Sequence, residues 1–341
     1  MRNITLGSTG ITVPQNAFGA LPIQRISAED AAGLLKKAYE GGMRFFDTAR
    51  AYSDSEEKMG LGLSDVRENI YIASKTADKT PEGFWKDLET TLHNLKTDYL
   101  DIYQFHCADR VFAPGDGTGM YEAMLEAKAQ GKIRHIGITA HKIGIAEDII
   151  ESGLYETLQF PFSYLSADRE LALVENCRKH NMGFIAMKGL AGGLINNSTA
   201  AMAYMTQFDN VLPIWGIQKE SELDEWLAFM DQTPEMTDEI RAFIAKECQE
   251  LTGDFCRGCG YCMPCPAGIM INQCARMSLM LRRAPSANWL TEEMQAEMKK
   301  IEGCLECGAC KKKCPYELDT PTLLKKNYED YKRVLAGEVE V

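Results

Sequence analysis

Residues 44–52 read RFFDTARAY, and the interpretation of the fold begins here. The apolar start of this stretch stops on Asp47, and the polar turn that follows carries Tyr52. Two later strand-like runs also reach an ionisable residue at their ends, since IYIASK ends on Lys75 and LDIYQFH ends on His106. In barrels of alternating strands and helices, catalytic groups sit at the carboxyl ends of the strands. The pattern therefore predicts a barrel with ionisable groups at its open end.

Eight strand-like segments alternate with helix-like segments along the chain. The strands are NAFGA from Asn16, RFFDTA from Arg44, IYIASK from Ile70, LDIYQF from Leu100, IRHIGIT from Ile133, TLQF from Thr157, GFIAMK from Gly183 and VLPIWG from Val211. Between them, residues 28–42 and 81–95 show apolar positions at helical spacing. Eight such units predict an α/β fold, a closed parallel (β/α)8 TIM barrel, with an open doubly wound sheet as the alternative. A hairpin is predicted at residues 4–14.

Composition limits the partners of the protein. The 341 residues carry a net charge of −12, and an acidic chain suits the phosphate backbone of nucleic acid poorly. Residues 1–10 lack an apolar signal core, and no run approaches about 18 apolar residues, the length of a membrane span. We therefore expect a soluble, cytoplasmic protein with no nucleic-acid or membrane partner.

Eight of the twelve cysteines fall into two short runs near the end of the chain. The runs are Cys256, Cys259, Cys262 and Cys265, then Cys304, Cys307, Cys310 and Cys314, and a proline follows each run. Two such runs form the bacterial ferredoxin arrangement for two 4Fe-4S clusters, in which the fourth cysteine of each run ligates the other cluster. The predicted ligand sets are Cys256, Cys259, Cys262 and Cys314 for one cluster, and Cys304, Cys307, Cys310 and Cys265 for the other.

Zinc is the alternative for these cysteines, but zinc sites usually pair two close cysteines with two distant ones. Disulfides are less favoured, because the runs are tight and belong to a long chain without a signal segment. The segments at residues 273–283 and 291–303 have helical patterns. We therefore predict a barrel over residues 1–235 and a mostly helical, ferredoxin-like iron–sulfur domain over residues 236–341.

Seven segments resemble, in order, the signature segments of the aldo-keto reductase family: LGSTGITV, FFDTARAY, SEEKMGLGL, SKT, NLKTDYLDIYQFH, GKIRHIGIT and LAGGL. The whole chain resembles the branch of that family that carries a C-terminal ferredoxin-type domain with two 4Fe-4S clusters. The resemblance implies a barrel that reduces the carbonyl of a small-molecule substrate with a nicotinamide cofactor, NADH or NADPH. It also implies a catalytic tetrad of Asp47, Tyr52, Lys75 and His106.

The chemistry of this tetrad also follows from its residue types. Hydride delivery builds negative charge on the carbonyl oxygen, so an acid must stand beside it. Tyr52 is the predicted acid, with Lys75 expected to lower its pKa, because an unperturbed phenol donates poorly at neutral pH. Asp47 would hold the ammonium, and His106 would donate to the oxygen. Taken singly, the same residues are also compatible with a helix cap, a surface lysine and a packing ring.

The predicted cofactor-binding residues depart in part from the family pattern. They are Thr139, Gln159, Met187, Lys188 and Lys219. Gln159 is kept after strand six, whereas Thr139 and Ala140 replace a Ser-Asn pair. Met187 stands where a tyrosine commonly stacks on the nicotinamide.

The adenine end of the pocket departs further. Trp215 and Trp226 replace a proline and an asparagine, and Glu222 takes a position that is often basic toward the 2′-phosphate. A carboxylate would repel that phosphate, although Lys219 offsets part of the charge.

Three functional hypotheses remain open. In the first, a nicotinamide reduces a carbonyl in the barrel while the clusters hold structure or serve an electron carrier, with the lysines at 311–313 as a docking surface for an acidic partner. In the second, the clusters supply single electrons to the substrate without nicotinamide. In the third, the barrel is a scaffold for non-catalytic binding or sensing. A hydride donor and a one-electron cluster belong to different redox regimes, and no flavin motif joins them.

Overall fold

The computed structural model describes residues 1–251, 255–258, 260–283, 286–314 and 316–341. These residues divide into two compact units, one of residues 1–189 with 198–241 and one of residues 190–197 with 242–341. The functional boundary that we place between residues 235 and 236 stays a prediction.

The first unit is built on ten strands. They are β1 (Asn3–Thr5), β2 (Thr12–Pro14), β3 (Ala17–Gly19), β4 (Phe45–Asp47), β5 (Tyr71–Thr76), β6 (Leu100–Phe105), β7 (Ile133–Thr139), β8 (Thr157–Pro161), β9 (Gly183–Met187) and β10 (Val211–Gly216). The first two form the predicted antiparallel hairpin. The other eight close into a parallel barrel in the order β10-β3-β4-β5-β6-β7-β8-β9. The predicted barrel is confirmed, and the open-sheet alternative is wrong.

One helix follows each barrel strand. The helices are α1 (Ala28–Glu40), α2 (Ser55–Leu63), α3 (Pro81–Leu95), α4 (Met120–Ala129), α5 (Ile143–Ser152), α6 (Asp168–Lys179), α7 (Ser198–Met205) and α8 (Glu220–Asp231). Short 3-10 helices lie at Pro22–Arg25 and Ser64–Asn69. Two of the α-helices begin at side-chain caps, because Ser27 accepts from the Asp30 N–H at 3.0 Å and Thr80 accepts from the Gly83 N–H at 3.1 Å.

The hairpin packs under the amino end of the barrel. Its apolar residues Ile4, Leu6, Ile11 and Val13 are buried in one cluster with inward-facing strand residues. The barrel members of that cluster are Ala17, Phe45, Ala73, Ile102, Ile185, Leu212 and Ile214. Because side chains alternate along a strand, Asp47 and Lys75 point into the same interior, nearer the carboxyl end. The apolar cluster therefore fills one end of the barrel and leaves the polar residues at the other.

Among the residues that the structure describes, the regular elements of the second unit are all helices. Its helices are the later part of α9 (Asp238–Glu250), then α10 (Ile271–Cys274), α11 (Met277–Arg283), α12 (Glu292–Lys299), α13 (Ala309–Lys313) and α14 (Thr320–Leu335), with 3-10 turns at Ser286–Trp289 and Lys300–Gly303. The buried Asn327 joins α14 to its neighbours, accepting from the Ser278 N–H at 2.8 Å and donating to the Ala275 carbonyl at 3.2 Å. In the described part of the chain, no helix is long and apolar enough to cross a membrane.

The close approach of the hairpin to the barrel can be tested at two glycines with similar backbone angles. Gly7 has φ +52°, and a Cβ there would lie 2.4 Å from the Gly183 nitrogen, whereas a Cβ at Gly10, with φ +71°, would meet nothing within 4 Å. Both alanine variants share the cost of a left-handed residue. We expect Gly7→Ala to lower the free energy of unfolding by about 1–3 kcal/mol more than Gly10→Ala, because only Gly7 adds a clash with backbone. Denaturant unfolding followed by circular dichroism compares them, and equal losses would contradict the packing described.

Candidate functional site

A buried ion pair lies at the carboxyl end of β4 and β5. Asp47 is 2% exposed and Lys75 is 1% exposed. The Lys75 ammonium donates to both Asp47 carboxylate oxygens, at 2.7 and 2.8 Å, and to the Thr48 carbonyl at 2.6 Å. Burial raises the pKa of Asp47, and the charge of Lys75 opposes that rise. All three N–H groups of Lys75 are engaged, so this lysine acts on its neighbours through its charge.

Two glutamines support the ion pair from inside the barrel. The Gln159 amide donates to Asp47 Oδ1 at 3.4 Å, and the Gln104 amide donates to Gln159 Oε1 at 2.9 Å. Gln104 Oε1 is buried without a partner among the described residues. Sequence reasoning missed Gln104, although its place two residues after the inward-facing Ile102 signals an inward side chain.

Tyr52 and His106 stand beside the ion pair on the loops that follow β4 and β6. Their rings meet edge to face, with centroids 5.7 Å apart and planes at 80°. The Lys75 ammonium lies 5.3 Å from the centroid of the Tyr52 ring. The structure therefore brings together the four residues that the sequence nominates as a tetrad. Their catalytic role stays a prediction.

A second buried carboxylate fixes the Tyr52 loop. Glu56, fully buried on α2, forms an ion pair with Arg50 and accepts hydrogen bonds from the Ser74 hydroxyl at 2.7 Å and the Thr91 hydroxyl at 2.8 Å. Arg50 also donates to the Ser53 carbonyl at 3.2 Å. These contacts hold the loop on either side of Tyr52, and sequence reasoning assigned no role to Glu56.

The pKa values of Tyr52 and His106 differ from the ordinary values of their residue types. Burial, and then the charge of Asp47, raise the pKa of Tyr52 above its ordinary value. The expectation that Lys75 lowers this pKa is wrong, because burial of the phenol and the charge of Asp47 set the direction of the shift. Burial and the charge of Lys75 lower the pKa of His106 to about 3. At neutral pH, Tyr52 is therefore protonated and His106 is a neutral imidazole.

The carboxyl end of the barrel, here called the mouth, also contains a histidine that sequence reasoning did not single out. His141 follows β7 by two residues and is 8% exposed. Burial lowers its pKa well below the ordinary value, and the charges of Lys188 and His106 act in the same direction. Its signal in the sequence is the one that identified His106, a histidine directly after a strand.

The predicted cofactor-binding residues occupy different surroundings. Gln159 is 1% exposed and already bonded to Asp47 and Gln104. The hydroxyl of Thr139 accepts from the Cys107 N–H at 2.7 Å. Met187 and Lys188 are partly exposed at the end of β9. Thr139 and Gln159 thus already take part in hydrogen bonds inside the barrel, whereas Met187 and Lys188 reach its surface.

At the start of α8, Glu222 turns back on its own helix. Its carboxylate accepts from the Gln218 N–H at 2.9 Å and from the Lys219 N–H at 3.1 Å, whereas the Lys219 side chain is exposed. Trp215 and Trp226 stack with centroids 3.9 Å apart and planes at 10°. Two N–H groups immediately before this helix are thus taken by a carboxylate of the protein itself.

The cysteine runs of the second unit line two cavities. Cys256, Cys262 and Cys314 line the first cysteine cavity. The second cysteine cavity is lined by Cys265, Cys304, Cys307 and Cys310, and Cys262 also reaches it. Cys259 lies outside the described residues. Each run thus meets the last cysteine of the other, which is the exchange predicted from the spacing, although ligation itself stays a prediction.

The cysteines that line these cavities agree with the predicted ligand sets. Three cysteines of the first set line one cavity, and all four cysteines of the second set line the other. In the ranges that the structure describes, no three His, Cys, Asp or Glu side chains form a group that could hold a single metal ion. Cavities lined by three or four cysteines supply the residue type that ligates 4Fe-4S clusters.

The fold is a (β/α)8 barrel with a buried ion pair at the carboxyl end of its strands, followed along the chain by a cysteine-rich helical unit, and comparison with known proteins agrees. The model of the Aldo/keto reductase family matches residues 4–211, and a 4Fe-4S dicluster domain model matches residues 255–319. The chain belongs to the aldo/keto reductase family and carries a 4Fe-4S dicluster domain.

Several relatives show the extent of the likeness. L-galactose dehydrogenase of Arabidopsis thaliana is 29% identical over 211 residues, 56% of this chain and 66% of that protein. The uncharacterized oxidoreductase YqkF of Bacillus subtilis (strain 168) is 26% identical over 214 residues, 57% of this chain and 67% of that protein. The chain thus spans between about half and two thirds of the length of its curated relatives.

Solved structures show the same fold. Aldo-keto reductase AKR11C1 from Bacillus halodurans, in its holo form, superposes with a TM-score of 0.64 at 21% identity over 72% of this chain and 96% of that one. An aldo-keto reductase from Klebsiella pneumoniae in complex with NADPH superposes with a TM-score of 0.61 at 21% identity over 72% of this chain and 95% of that one.

The depressed pKa of His106 predicts how stability depends on pH. Below about pH 6.5, an unfolded histidine takes up a proton that folded His106, with a pKa of about 3, does not. Stability is therefore highest above pH 6.5 and falls toward pH 3, by up to about 1.4 kcal/mol per pH unit for this group. His141 adds a fall of the same sign.

We expect His106→Gln to make this fall shallower, because the variant has no proton to take up on unfolding. Denaturant unfolding at pH 7, 6 and 5 measures the slope, with His93→Gln on the exposed side of α3 as the control. The assignment of a neutral buried His106 fails if the slopes of wild type and His106→Gln agree.

Proposed function

We propose that the barrel reduces the carbonyl group of a small-molecule substrate with hydride from a nicotinamide, and that the cysteine cavities hold two 4Fe-4S clusters in an electron-transfer or structural role. The observation that supports this most directly is the buried Asp47–Lys75 pair beside Tyr52 and His106. Four polar groups at the ends of three neighbouring strands form a site for a substrate oxygen rather than a packed core.

Tyr52 and His106 are the proposed donors to the carbonyl oxygen. Tyr52 is protonated because burial raises its pKa, and neutral His106 retains one ring N–H. Tyr52 gives its proton as negative charge develops, while His106 orients the oxygen by hydrogen bonding. Lys75 stabilises the resulting phenolate through its charge at short range, and Asp47 keeps the ammonium in place.

The residues proposed to face the nicotinamide are Met187 and Lys188, with Thr139 and Gln159 deeper in the barrel. A bound nicotinamide supplies hydride to the carbonyl carbon. Met187 offers a polarisable thioether to one face of a ring. Gln159 already donates to Asp47 and accepts from Gln104, so we assign it mainly to the support of the ion pair.

The start of α8 does not fit a 2′-phosphate. Glu222 supplies a negative charge where an anion would bind, and it occupies the Gln218 and Lys219 N–H groups. The exposed Lys219 offers one compensating cation. We therefore propose NADH rather than NADPH as the hydride donor.

We propose two ligand sets for the clusters, with the iron–sulfur domain spanning residues 236–341 beside a barrel of residues 1–235. The sets are Cys256, Cys259, Cys262 and Cys314, and Cys304, Cys307, Cys310 and Cys265. The exposed Cys307 and the neighbouring Leu305, 66% exposed, provide a place where an electron-carrier protein can approach. The lysines at 311–313 favour an acidic carrier.

A second candidate is a reductase in which electrons pass singly from the clusters to the substrate. It is favoured by the self-capping of Glu222 and the engagement of Gln159, because both weaken the nicotinamide pocket. Tyr52 and His106 would still donate to the reduced oxygen. The two candidates differ in whether hydride from the nicotinamide reaches the product carbon.

Replacing Tyr52 with Phe tests the donor assignment. We expect a loss of about 10²–10⁴-fold in carbonyl reduction with NADH and a simple aldehyde, because the general acid is removed. Affinity for NADH, measured by fluorescence quenching, should stay close to wild type. Lys75→Met should also lose carbonyl reduction, whereas Tyr39→Phe on α1 should keep it. Near-wild-type turnover by Tyr52→Phe would show that the tetrad is misassigned.

The cofactor preference provides a separate test. We expect wild-type protein to bind NADPH no more tightly than NADH, and Glu222→Gln to shift the preference toward NADPH, because the variant removes the like charge. Glu220→Gln, in the same turn of α8 but paired with Lys37, is the matched control. Dissociation constants in one buffer decide the matter. A tenfold preference of the wild type for NADPH, about 1.4 kcal/mol, would mean that the pocket is misplaced.

A further inference from the structure

Arg276 is a partly buried arginine whose charge is not compensated nearby. It lies in the turn between α10 and α11, and its Nη1 donates to the Gly192 carbonyl at 2.5 Å. Its Nε is buried with no hydrogen-bond partner among the described residues. None of the ion pairs between described residues involves Arg276. A buried guanidinium without a carboxylate requires an explanation, because desolvating a charge is costly.

The guanidinium lies against the loop that carries Cys256. A Cβ placed on Gly258 would lie 2.7 Å from Arg276 Nη1, 2.9 Å from Cζ and 3.3 Å from Nε. The Gly258 N–H in turn points at the Cys256 sulfur, 3.4 Å away. Only a glycine leaves room for the guanidinium here, and Gly258 has φ +67°. Arg276 is therefore held within one residue's width of the first cysteine cavity.

The charges beside the two cavities differ. Arg257 lines the first cavity, with its guanidinium over the ring of Phe255 at 4.8 Å. The charged side chain that lines the second cavity is Glu306, a carboxylate paired with the exposed Lys325 at 2.5 Å. Three lysines, at 311–313, lie in the chain between Cys310 and Cys314. All three are exposed and screened by solvent, and Lys311 is paired with Asp319.

This asymmetry bears on reduction potential. Reducing a 4Fe-4S cluster adds one negative charge, and potentials depend on net charge, on hydrogen bonds to the sulfurs and on exposure. A partly buried cation stabilises the added charge more than an exposed one, because screening is weaker away from solvent. An N–H that reaches a cluster or cysteine sulfur acts in the same direction.

We propose that Arg276 raises the reduction potential of the cluster held in the first cysteine cavity above that of the cluster in the second. The two clusters thereby differ in electron affinity. A single electron from a one-electron donor rests on the cluster beside Arg276 and not on the cluster beside the exposed Cys307. This inference rests on the proposed cluster loading and is independent of carbonyl reduction. Arg276 acts as a tuning residue and ligates no iron.

The test is a potentiometric titration of anaerobically prepared protein, followed by electron paramagnetic resonance. Dithionite is the reductant, and Cys307→Ser identifies which of the two waves belongs to the second cavity. We expect Arg276→Gln to lower the potential of the other wave by about 59 mV, a tenfold change in a one-electron equilibrium. Arg276→Lys, which keeps the charge, should shift that wave less. Arg282 is a surface cation on α11 that pairs with Asp330, and Arg282→Gln should shift neither wave.

Iron and sulfide analysis of the same samples separates tuning from loading. About eight iron and eight sulfide per chain are expected in the wild type and in the arginine variants. The proposal is overturned if Arg276→Gln keeps its iron and moves neither wave, or moves both equally. It is also overturned if Arg276→Gln and Arg276→Lys both lose one cluster, because Arg276 would then hold the site together. A wild type without iron would instead refute the cluster loading itself.

Discussion

The buried ion pair between Asp47 and Lys75 is the interaction on which the open end of the barrel depends. Charges this far from solvent are tolerated only when paired and fully hydrogen-bonded, and removing one partner of such a pair typically costs about 3–5 kcal/mol. Here the pairing needs β4 and β5 in register, with Asp47 beside Ala73. It also needs Gln159 and Gln104 behind the carboxylate. The positions of Tyr52 and His106 therefore depend on closure of the barrel.

Much of this arrangement could be predicted from the sequence, because strand alternation and strand ends are local properties. Three strands that end on ionisable residues indicated both the barrel and the place of its site. The direction of the Tyr52 pKa shift could not be predicted, because it depends first on how deeply the closed barrel buries the phenol and then on the nearby charge of Asp47. The contacts of Gln159 with Asp47 and Gln104 could not be predicted, because they depend on which side chains meet inside the closed barrel. His141 carried the same signal as His106 but matched no family segment, so it was overlooked.

In the cysteine-rich domain too, some features could be predicted from the sequence and others could not. The cysteine spacing predicted which thiols meet, and the cavities bring Cys314 to the first run and Cys265 to the second. Spacing says nothing about the charges around each cavity, because Arg276 reaches the Cys256 loop through a turn that no motif marks. The chain thus combines proton donors suited to hydride chemistry with cysteines suited to single electrons. At the start of α8, Glu222 accepts hydrogen bonds from the backbone of its own chain, a contact that the sequence did not indicate.

Isotope transfer tests the central claim most directly, because it follows the hydrogen that the barrel is proposed to deliver. Protein with intact clusters is incubated anaerobically with an aldehyde and NADH that carries deuterium at the transferred position of its nicotinamide. Mass spectrometry and NMR of the alcohol then locate the label. The account predicts one deuterium on the carbinol carbon of the alcohol that the wild type forms, and far less alcohol from Tyr52→Phe. An unlabelled alcohol, formed equally well with dithionite and no nicotinamide, would contradict it.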